Sequence, residues 1–325
     1  MSAATSPETG RRYGIQRVCA AWELPRSTWY AQQAAASPQR PPPAKRGPRR
    51  CLSDARLLAA IQADLAASPF LGEGHRKVWA RLRVAGLRTS QRRVLRLMRE
   101  HGLLAPQRQG TVRGPRAHDG TIIPAAPDLM WGTDLTTTLL TTGQQVAVFV
   151  CVDHHSAELV GVHAAARATR WEALEPVRQG VREHFGRVDA GVAQGLSLRH
   201  DNGSQYVAND FQRELTFLGI ASSPSFVRAP EGNGCAERII RTLKEQLLWV
   251  QGFADVEALR AALEQWRQLY NTRWLIERHG HHSPAQVRQE WLIATGREAA
   301  CFTLHHVSSK HWAVHDAAIL NGRDG

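Results

Sequence analysis

Cysteine is scarce in this chain of 325 residues: five thiols, Cys19, Cys51, Cys151, Cys235 and Cys301, are odd in number and far apart. No two form a CxxC pair, which excludes a zinc ribbon and argues against a disulfide frame. Reduced thiols in a cytoplasmic setting are expected. Long apolar runs are missing as well. The longest, Val146 to Val152, falls far short of the ~20 residues that cross a bilayer, and no secretory leader is recognisable. Acid is short in one region only. Residues 1–128 hold 22 Lys and Arg against 8 Asp and Glu, a net of +14, whereas the rest holds 19 against 21, a net of −2. The total of +12 and a pI near 10.3 point to a polyanionic partner. The distribution puts the electrostatic grip in the N-terminal third. The remaining two-thirds is a nearly neutral body with carboxylates available for chemistry, and the length suits two or three domains with cores of their own.

Residues 12–34 read as helix, turn, helix: Gly14 to Trp22, a break at Leu24-Pro25, then Ser27 as N-cap of Thr28 to Gln33. This 1–34 unit is either a plain helical hairpin or a DNA-binding one. Residues 35–52, rich in Pro and Arg, form an extended linker whose cations touch phosphate or simply keep it solvated. Residues 53–105 form a second helical module. Ser53 opens a helix with Leu57, Leu58, Ile61 and Leu65 at helical period; Arg76 to Ala85 is the next; Ser90 caps a third, Gln91 to His101. On the third, Val94, Leu95, Leu97 and Met98 face inward, and Arg92, Arg93, Arg96 and Arg99 mostly outward with only Glu100 to balance them. Helix, helix, Gly-containing turn and cationic helix is the layout whose last helix enters a major groove. Those four arginines are therefore the expected DNA contacts. The rival reading is a three-helix bundle with a solvated arginine face. A Pro/Gly/Arg linker, 106–128, leads into a body at 129–295, and 296–325 is a basic-aromatic tail with no assignable role.

The body opens with Met130 to Leu139, rich in β-branched residues, with Asp134 mid-run. Alternation puts Asp134, Thr136 and Thr138 on one face and Thr133, Leu135, Thr137 and Leu139 on the other. An acid inside a strand is unfavourable unless something cationic meets it. Val146 to Asp153 reads as a strand buried on both faces, with Asp153 a turn residue or a supporting carboxylate. Glu158 to Ala165 is a third strand and Trp171 to Phe185 a helix. A short run ending at Leu198 then delivers Asp201 to the lip of a sheet, before the turn pair Asn202-Gly203. An amphipathic segment, Asp210 to Leu218, leads to a Pro/Gly-punctuated loop, Ser223 to Gly234, expected to be mobile without DNA. A helical pattern from near Glu231 carries Glu237, with 35 residues between it and Asp201. Glu237, Arg241 and Lys244 share one face, and Ile240, Leu243 and Leu247 form a neighbouring core stripe. Val256 to Tyr270 is a further amphipathic helix.

W-G-T-D-L-T at 131–136, D-N-G-S-Q-Y at 201–206, and Glu237 with Lys244 seven positions on resemble, in combination, the Asp-Asp-Glu core of retroviral-type integrases. More narrowly, they resemble the second-frame transposases of the IS-three group of bacterial insertion sequences. The run R-V-L-R-L-M-R-E-H-G-L at 93–103, Tyr270-Asn271 with Arg273, and Ser283-Pro284-Ala285-Gln286-Val287 extend the likeness from about Tyr13 to Val287. His200 directly before Asp201, the Asn233-Gly234-Cys235-Ala236 run before Glu237, and the lack of a glycine-leucine-glycine character at 275–282 mark a side branch.

The resemblance implies an α/β (α+β) fold: an RNase H-like mixed five-stranded sheet with flanking helices, preceded by all-α helix–turn–helix modules. The strands bearing Asp134 and Asp201 should lie side by side, with the Glu237 helix packed beside them. It implies a Mg-dependent polynucleotidyl transferase with Asp134, Asp201 and Glu237 as catalytic residues and metal ligands. They would hold two Mg²⁺ ions, or Mn²⁺, about 3.5–4 Å apart. Hard oxygen donors suit those ions, so His154, His155 and His200 are read as structural. Water would free a 3′-OH at the element's end, and that hydroxyl would attack a second phosphodiester. Arg241 and Lys244 contact phosphate near that bond or make helix-surface ion pairs. The implied partners are double-stranded DNA (element ends and target), further copies of the chain, and the upstream-frame product joined by fusion. No membrane is implied, and the implied location is the bacterial nucleoid. Two rivals remain: a domesticated DNA-binding protein whose core is only a scaffold, and a plain ribonuclease H, which has no need of two helix–turn–helix modules.

Overall fold

The computed structural model describes residues 3–35, 52–106, 122–225 and 233–296. The C-terminal tail from 297, and most of the two linkers and of the loop expected at 223–234, lie outside the described residues. The chain divides into two units, at Ser53/Asp54. The first holds α1 (Gly14–Ala21) and α2 (Arg26–Ala35). Ser27 lies inside the first turn of α2 rather than capping it. The Pro25 carbonyl accepts from Thr28 and Trp29 N–H at 3.0 and 3.3 Å, because proline restricts the chain and lets the helix start two residues sooner than expected.

The second unit begins with α3 (Asp54–Ala67), α4 (His75–Val84) and α5 (Gln91–Glu100). Leu57, Ile61, Val78, Leu82, Val94, Leu97 and Met98 are its buried centre, and Ser90 Oγ caps α5 by accepting from Arg93 N–H. Arg81 is held between Asp64 and Glu73, so its half-buried charge is paired on both sides. The three-helix module rests on the body. Leu71 exchanges two backbone hydrogen bonds, 2.8 and 2.9 Å, with the Gln246 amide, Phe70 meets Trp274 edge-on, and the Lys77 ammonium lies over the Trp274 ring.

The body is a five-stranded sheet: β1 (Met130–Leu139), β2 (Gln145–Asp153), β3 (Leu159–Ala165), β4 (Ser197–His200) and β5 (Ala221–Pro224), in the order β3-β2-β1-β4-β5. β1, β2 and β3 form an antiparallel meander, while β4 and β5 run parallel to β1. This is the expected mixed sheet. β5 is the strand the residue pattern did not reveal: Ala-Ser-Ser-Pro is short, polar and ends in proline, the composition of an edge rather than an apolar strand. β2 alternates into both cores, as an apolar strand must. Val146, Val148, Val150 and Val152 pack on α9 (Gly234–Leu243) and α10 (Val256–Arg273). Ala147, Phe149 and Cys151 pack on α6 (Arg170–Phe185) and α8 (Asn209–Leu218), with the short α7 (Ser204–Val207) between β4 and α8.

Behind the hairpin of β2 and β3 lies a buried ionic cluster. Arg288, on α11 (Pro284–Ala294), pairs with Glu158 and reaches Asp128 at 2.5 and 3.0 Å. Burial alone would raise the Glu158 carboxyl, but Arg288 outweighs it and holds the group below its ordinary range. Asp153 accepts from Ser156 N–H and Oγ, both at 2.7 Å, and from Asp128 N–H, so it supports the turn, as the sequence suggested. Asn271 caps the start of β3 through both Leu159 backbone groups. Removing one partner of a buried pair strands the other charge. Arg288→Met is expected to destabilise the body by about 3–5 kcal/mol, read as a lower midpoint in urea. An unchanged midpoint would mean that the cluster carries no stability.

Candidate active site

β1 pairs with β4 through Met130–Ser197, Trp131–Leu198 and Gly132–Arg199. Asp134 and Asp201 each stand two residues beyond the last of these pairs, so parallel register brings the two acids to the same level on adjacent chain segments. Asp134 lies on the face of β1 that carries Val150 opposite it, the face covered by α9. Glu237 is in the first turn of α9, where its charge is favoured by the helix N-terminus. The start of α9 is held in place by Asn233, buried, whose side-chain amide donates to the Thr133 carbonyl at 3.0 Å. That contact needs Gly132: a Cβ there would come within 2.6 Å of Asn233 and of the His154 ring. Asn233 is therefore a positioning residue, and only its proximity to Glu237 in the sequence hinted at it.

An open cleft of about 410 Å³ is lined by Asp134, Leu135, Thr136, Glu237, Ile240, Arg241, Lys244 and Trp249. Burial pushes the Asp134 carboxyl up, and the fields of Asp201 and Glu237 push it further, against the pull of Leu135 N–H and Lys244; it is raised to about 6. Three acids far apart in the chain thus act on one another through space. The carboxylates of Asp134 and Asp201 are each turned onto a local N–H, of Leu135 at 2.8 Å and Gly203 at 2.9 Å. Among the described residues no group of three His, Cys, Asp or Glu side chains is gathered tightly enough to hold one ion. Asp134 and Glu237 line the cleft, and Asp201 joins them through its field on Asp134 without the three closing into a ligand cage. Their chemistry fits a divalent cation: every donor is a carboxylate oxygen, and a positive ion would relieve the crowding that raises Asp134.

The neighbouring histidines are structural. His200 is buried, with Nδ1 at 2.6 Å from the Asp201 carbonyl, Nε2 at 2.9 Å from Ser222 Oγ, and its ring stacked on Tyr206. Burial holds its imidazole below the ordinary value, hence neutral. His154 and His155 bind the Ile122 and Pro124 carbonyls. Lys244 and Arg241 both line the cleft, and Arg241 also pairs with Glu245 at 3.1 Å.

The four arginines of α5 divide. Arg92 and Arg99 are exposed. Arg93 Nε binds Asp54 Oδ1 at 2.7 Å, and Arg96 pairs with both Asp54 and Glu100. Hydrogen bonds from these two arginines hold the Asp54 carboxyl down at about 2. The expectation that only Glu100 balances this face is thus corrected: Asp54, thirty-nine positions before Arg93, returns across the bundle.

Residues 124–230 match a family model described as Integrase core domain, 218–284 match a second model of that description, and 54–110 match one described as HTH-like domain. The five-stranded sheet lies within the residues that match the integrase core, a family that uses divalent metals. The chain is homologous to the bacterial insertion-sequence transposases, with an HTH-like domain ahead of a DDE-type core. It is 26% identical over 297 residues to a transposase for insertion sequence element IS629 of Shigella sonnei, covering 88% of this chain and 95% of that one. To the InsD transposase of insertion element IS2 of Escherichia coli it is 26% identical over 224 residues, 66% of this chain and 72% of that one. Among solved structures, the catalytic core domain of HTLV-2 integrase in complex with magnesium matches at 19% identity and a TM-score of 0.39, over 50% of this chain and 98% of that chain.

Asp134 takes up its proton near pH 6 when folded and near 3.8 in the ordinary carboxylate range. Between those values the folded state binds more protons than the unfolded one, so its stability falls as pH rises through that window. In EDTA, Asp134→Asn is therefore expected to stabilise the chain at pH 7.5 by up to about 3 kcal/mol, and the gain should vanish below pH ~4. Urea unfolding at the two pH values measures this. An equal gain at both would show that ionisation of Asp134 is not its source. Mg²⁺ should raise the melting temperature of the wild type and leave that of Asp134→Asn unmoved.

Proposed function

We propose that the chain is the transposase of an insertion sequence, and that Asp134, Asp201 and Glu237 are its catalytic carboxylates. The observation that carries this reading is Asp134 itself: a half-buried acid on β1, level with Asp201 across the β1–β4 pairing and facing Glu237 and Lys244 across one cleft, whose proton affinity is raised by burial and then by the two other acids. A ribonuclease H needs no such DNA-reading module upstream, and a mere scaffold needs no crowded carboxylates.

The three acids would hold Mg²⁺ or Mn²⁺, two ions in the full reading, which would supply Lewis acidity at the scissile phosphate. Lys244 and Arg241, on the same helix face as Glu237, orient the phosphate between them and offset its charge. Water adds to phosphorus at the element's end, the P–O3′ bond breaks, and the released oxygen leaves as a 3′-OH. That hydroxyl then forms a bond to a target phosphorus, and the target's own 3′-oxygen departs with the proton. In this second step one phosphodiester is broken for the one made, so no external energy is needed.

Exposed Arg92 and Arg99 are the cations of α5 placed for DNA phosphate and base edges, whereas Arg93 and Arg96 brace the bundle. Several copies on paired ends, and fusion to the upstream-frame product, complete the proposed assembly. No described helix is long and apolar enough to cross a membrane, and the bacterial nucleoid is the proposed place of action.

With DNA bearing the element's terminal repeats and Mg²⁺, wild type should cut at the repeat. Asp201→Asn should cut roughly 10³-fold more slowly, the several kcal/mol of metal-assisted charge stabilisation at tenfold per ~1.4 kcal/mol. Equal rates, or no cutting by either, would leave only a DNA-binding protein. On the binding side, Arg92→Ala and Arg99→Ala should each reduce the salt slope of DNA affinity by about one. Arg93→Ala should instead lower the thermal stability of the helical module, an outcome that melting curves separate from the first.

A further inference from the structure

The helix that carries Glu237 does not run on regularly. α9 ends at Leu243, and Lys244–Leu248 makes a single π turn, closed by Trp249 N–H donating to the Lys244 carbonyl at 2.9 Å. Trp249 stands twelve residues beyond Glu237. In a regular helix, at about 100° per residue, it would point about 120° away from that carboxylate. A π turn takes up one extra residue, so Trp249 falls where an eleventh would, within about 20° of Glu237. The wall of the cleft accordingly runs Glu237, Arg241, Lys244, Trp249. Leu247 and Leu248 are buried beneath the turn and anchor it, yet the indole itself is 71% exposed. A turn with poorer hydrogen bonding and a large apolar ring left in water both cost stability, and π turns of this kind concentrate at functional positions.

We infer that Trp249 is a stacking platform for an unpaired nucleobase of the DNA end. An aromatic face set beside phosphate-binding cations is the arrangement that holds single-stranded nucleic acid without reading its sequence. A base inside a duplex has both faces covered by its neighbours, so the indole engages only a base freed at the terminus. Stacking there would hold the opened strand with its phosphate between Lys244 and the acids. The inference rests on the transposase reading and names the form of DNA that its cleft takes.

The test uses the full-length chain in EDTA, so that no strand is cut. Two fluorescent duplexes of equal length serve as probes, one blunt and one ending in a short unpaired tail that contains 2-aminopurine. Wild type should prefer the tailed duplex by about tenfold, one stacked base being worth ~1–3 kcal/mol, and should quench the 2-aminopurine. Trp249→Ala should lose both the preference and the quench, and Trp249→Phe should keep most of each. Melting curves verify that both variants fold. A wild type without tail preference, or a Trp249→Ala that retains it, overturns the inference. So does a Trp249→Ala whose only change is in sedimentation, which would assign this face to a second copy of the chain. Failure of the transposase reading appears elsewhere, as absence of Mg²⁺-dependent cutting, while a tail preference that depends on Trp249 would still stand.

Discussion

Three residue pairs join β1 to β4, and the chemistry of the body depends on them. Their parallel register sets Asp134 and Asp201 at the same level. A shift of one residue would turn the side chains of one strand to the opposite face and separate the carboxylates. The register is defended from both sides. Trp131 is fully buried on the α6 face, and Leu198 beside it is equally buried, so a slip would drive both out of the core.

The third acid reaches the cleft by a different route. A helix can slide or tilt where a paired strand cannot, and α9 comes after a segment outside the described residues. Its position is fixed at two points: Asn233 on the β1 backbone at its start, and Ile239, Ile240 and Leu243 in the sheet-covering core along its length. The buried charges are kept apart by purpose. Arg288 neutralises Asp128 and Glu158 and supports the fold, whereas Asp134, Asp201 and Glu237 remain mutually repelling at an open cleft. Repulsion is tolerable there because solvent reaches Asp201 and Glu237.

Much of this was legible in the chain. The strand of Asp134, the helix of Glu237, the order of the first four strands and the paired cores on β2 come from period-two and period-3.6 patterns that burial enforces, whereas the grouping of Asp134, Asp201 and Glu237 rests on the likeness to integrase cores. Three features were not. β5 has no apolar alternation, because an edge strand is half in water. Asp54 gives no local sign that it pairs with Arg93, because the contact is made by tertiary packing. The π turn at 244–248 has no signature in its residues, since Lys-Glu-Gln-Leu-Leu suits a regular helix equally well; in the fold it leaves Leu247 and Leu248 both buried.

The DNA-reading helices are attached to the body at that same turn. The Gln246 amide clasps the backbone of Leu71, between α3 and α4, while Lys77 and Phe70 close on Trp274. A displacement of the helical module would therefore bear first on the segment that carries Lys244 and Trp249, and through it on the far end of Glu237's helix.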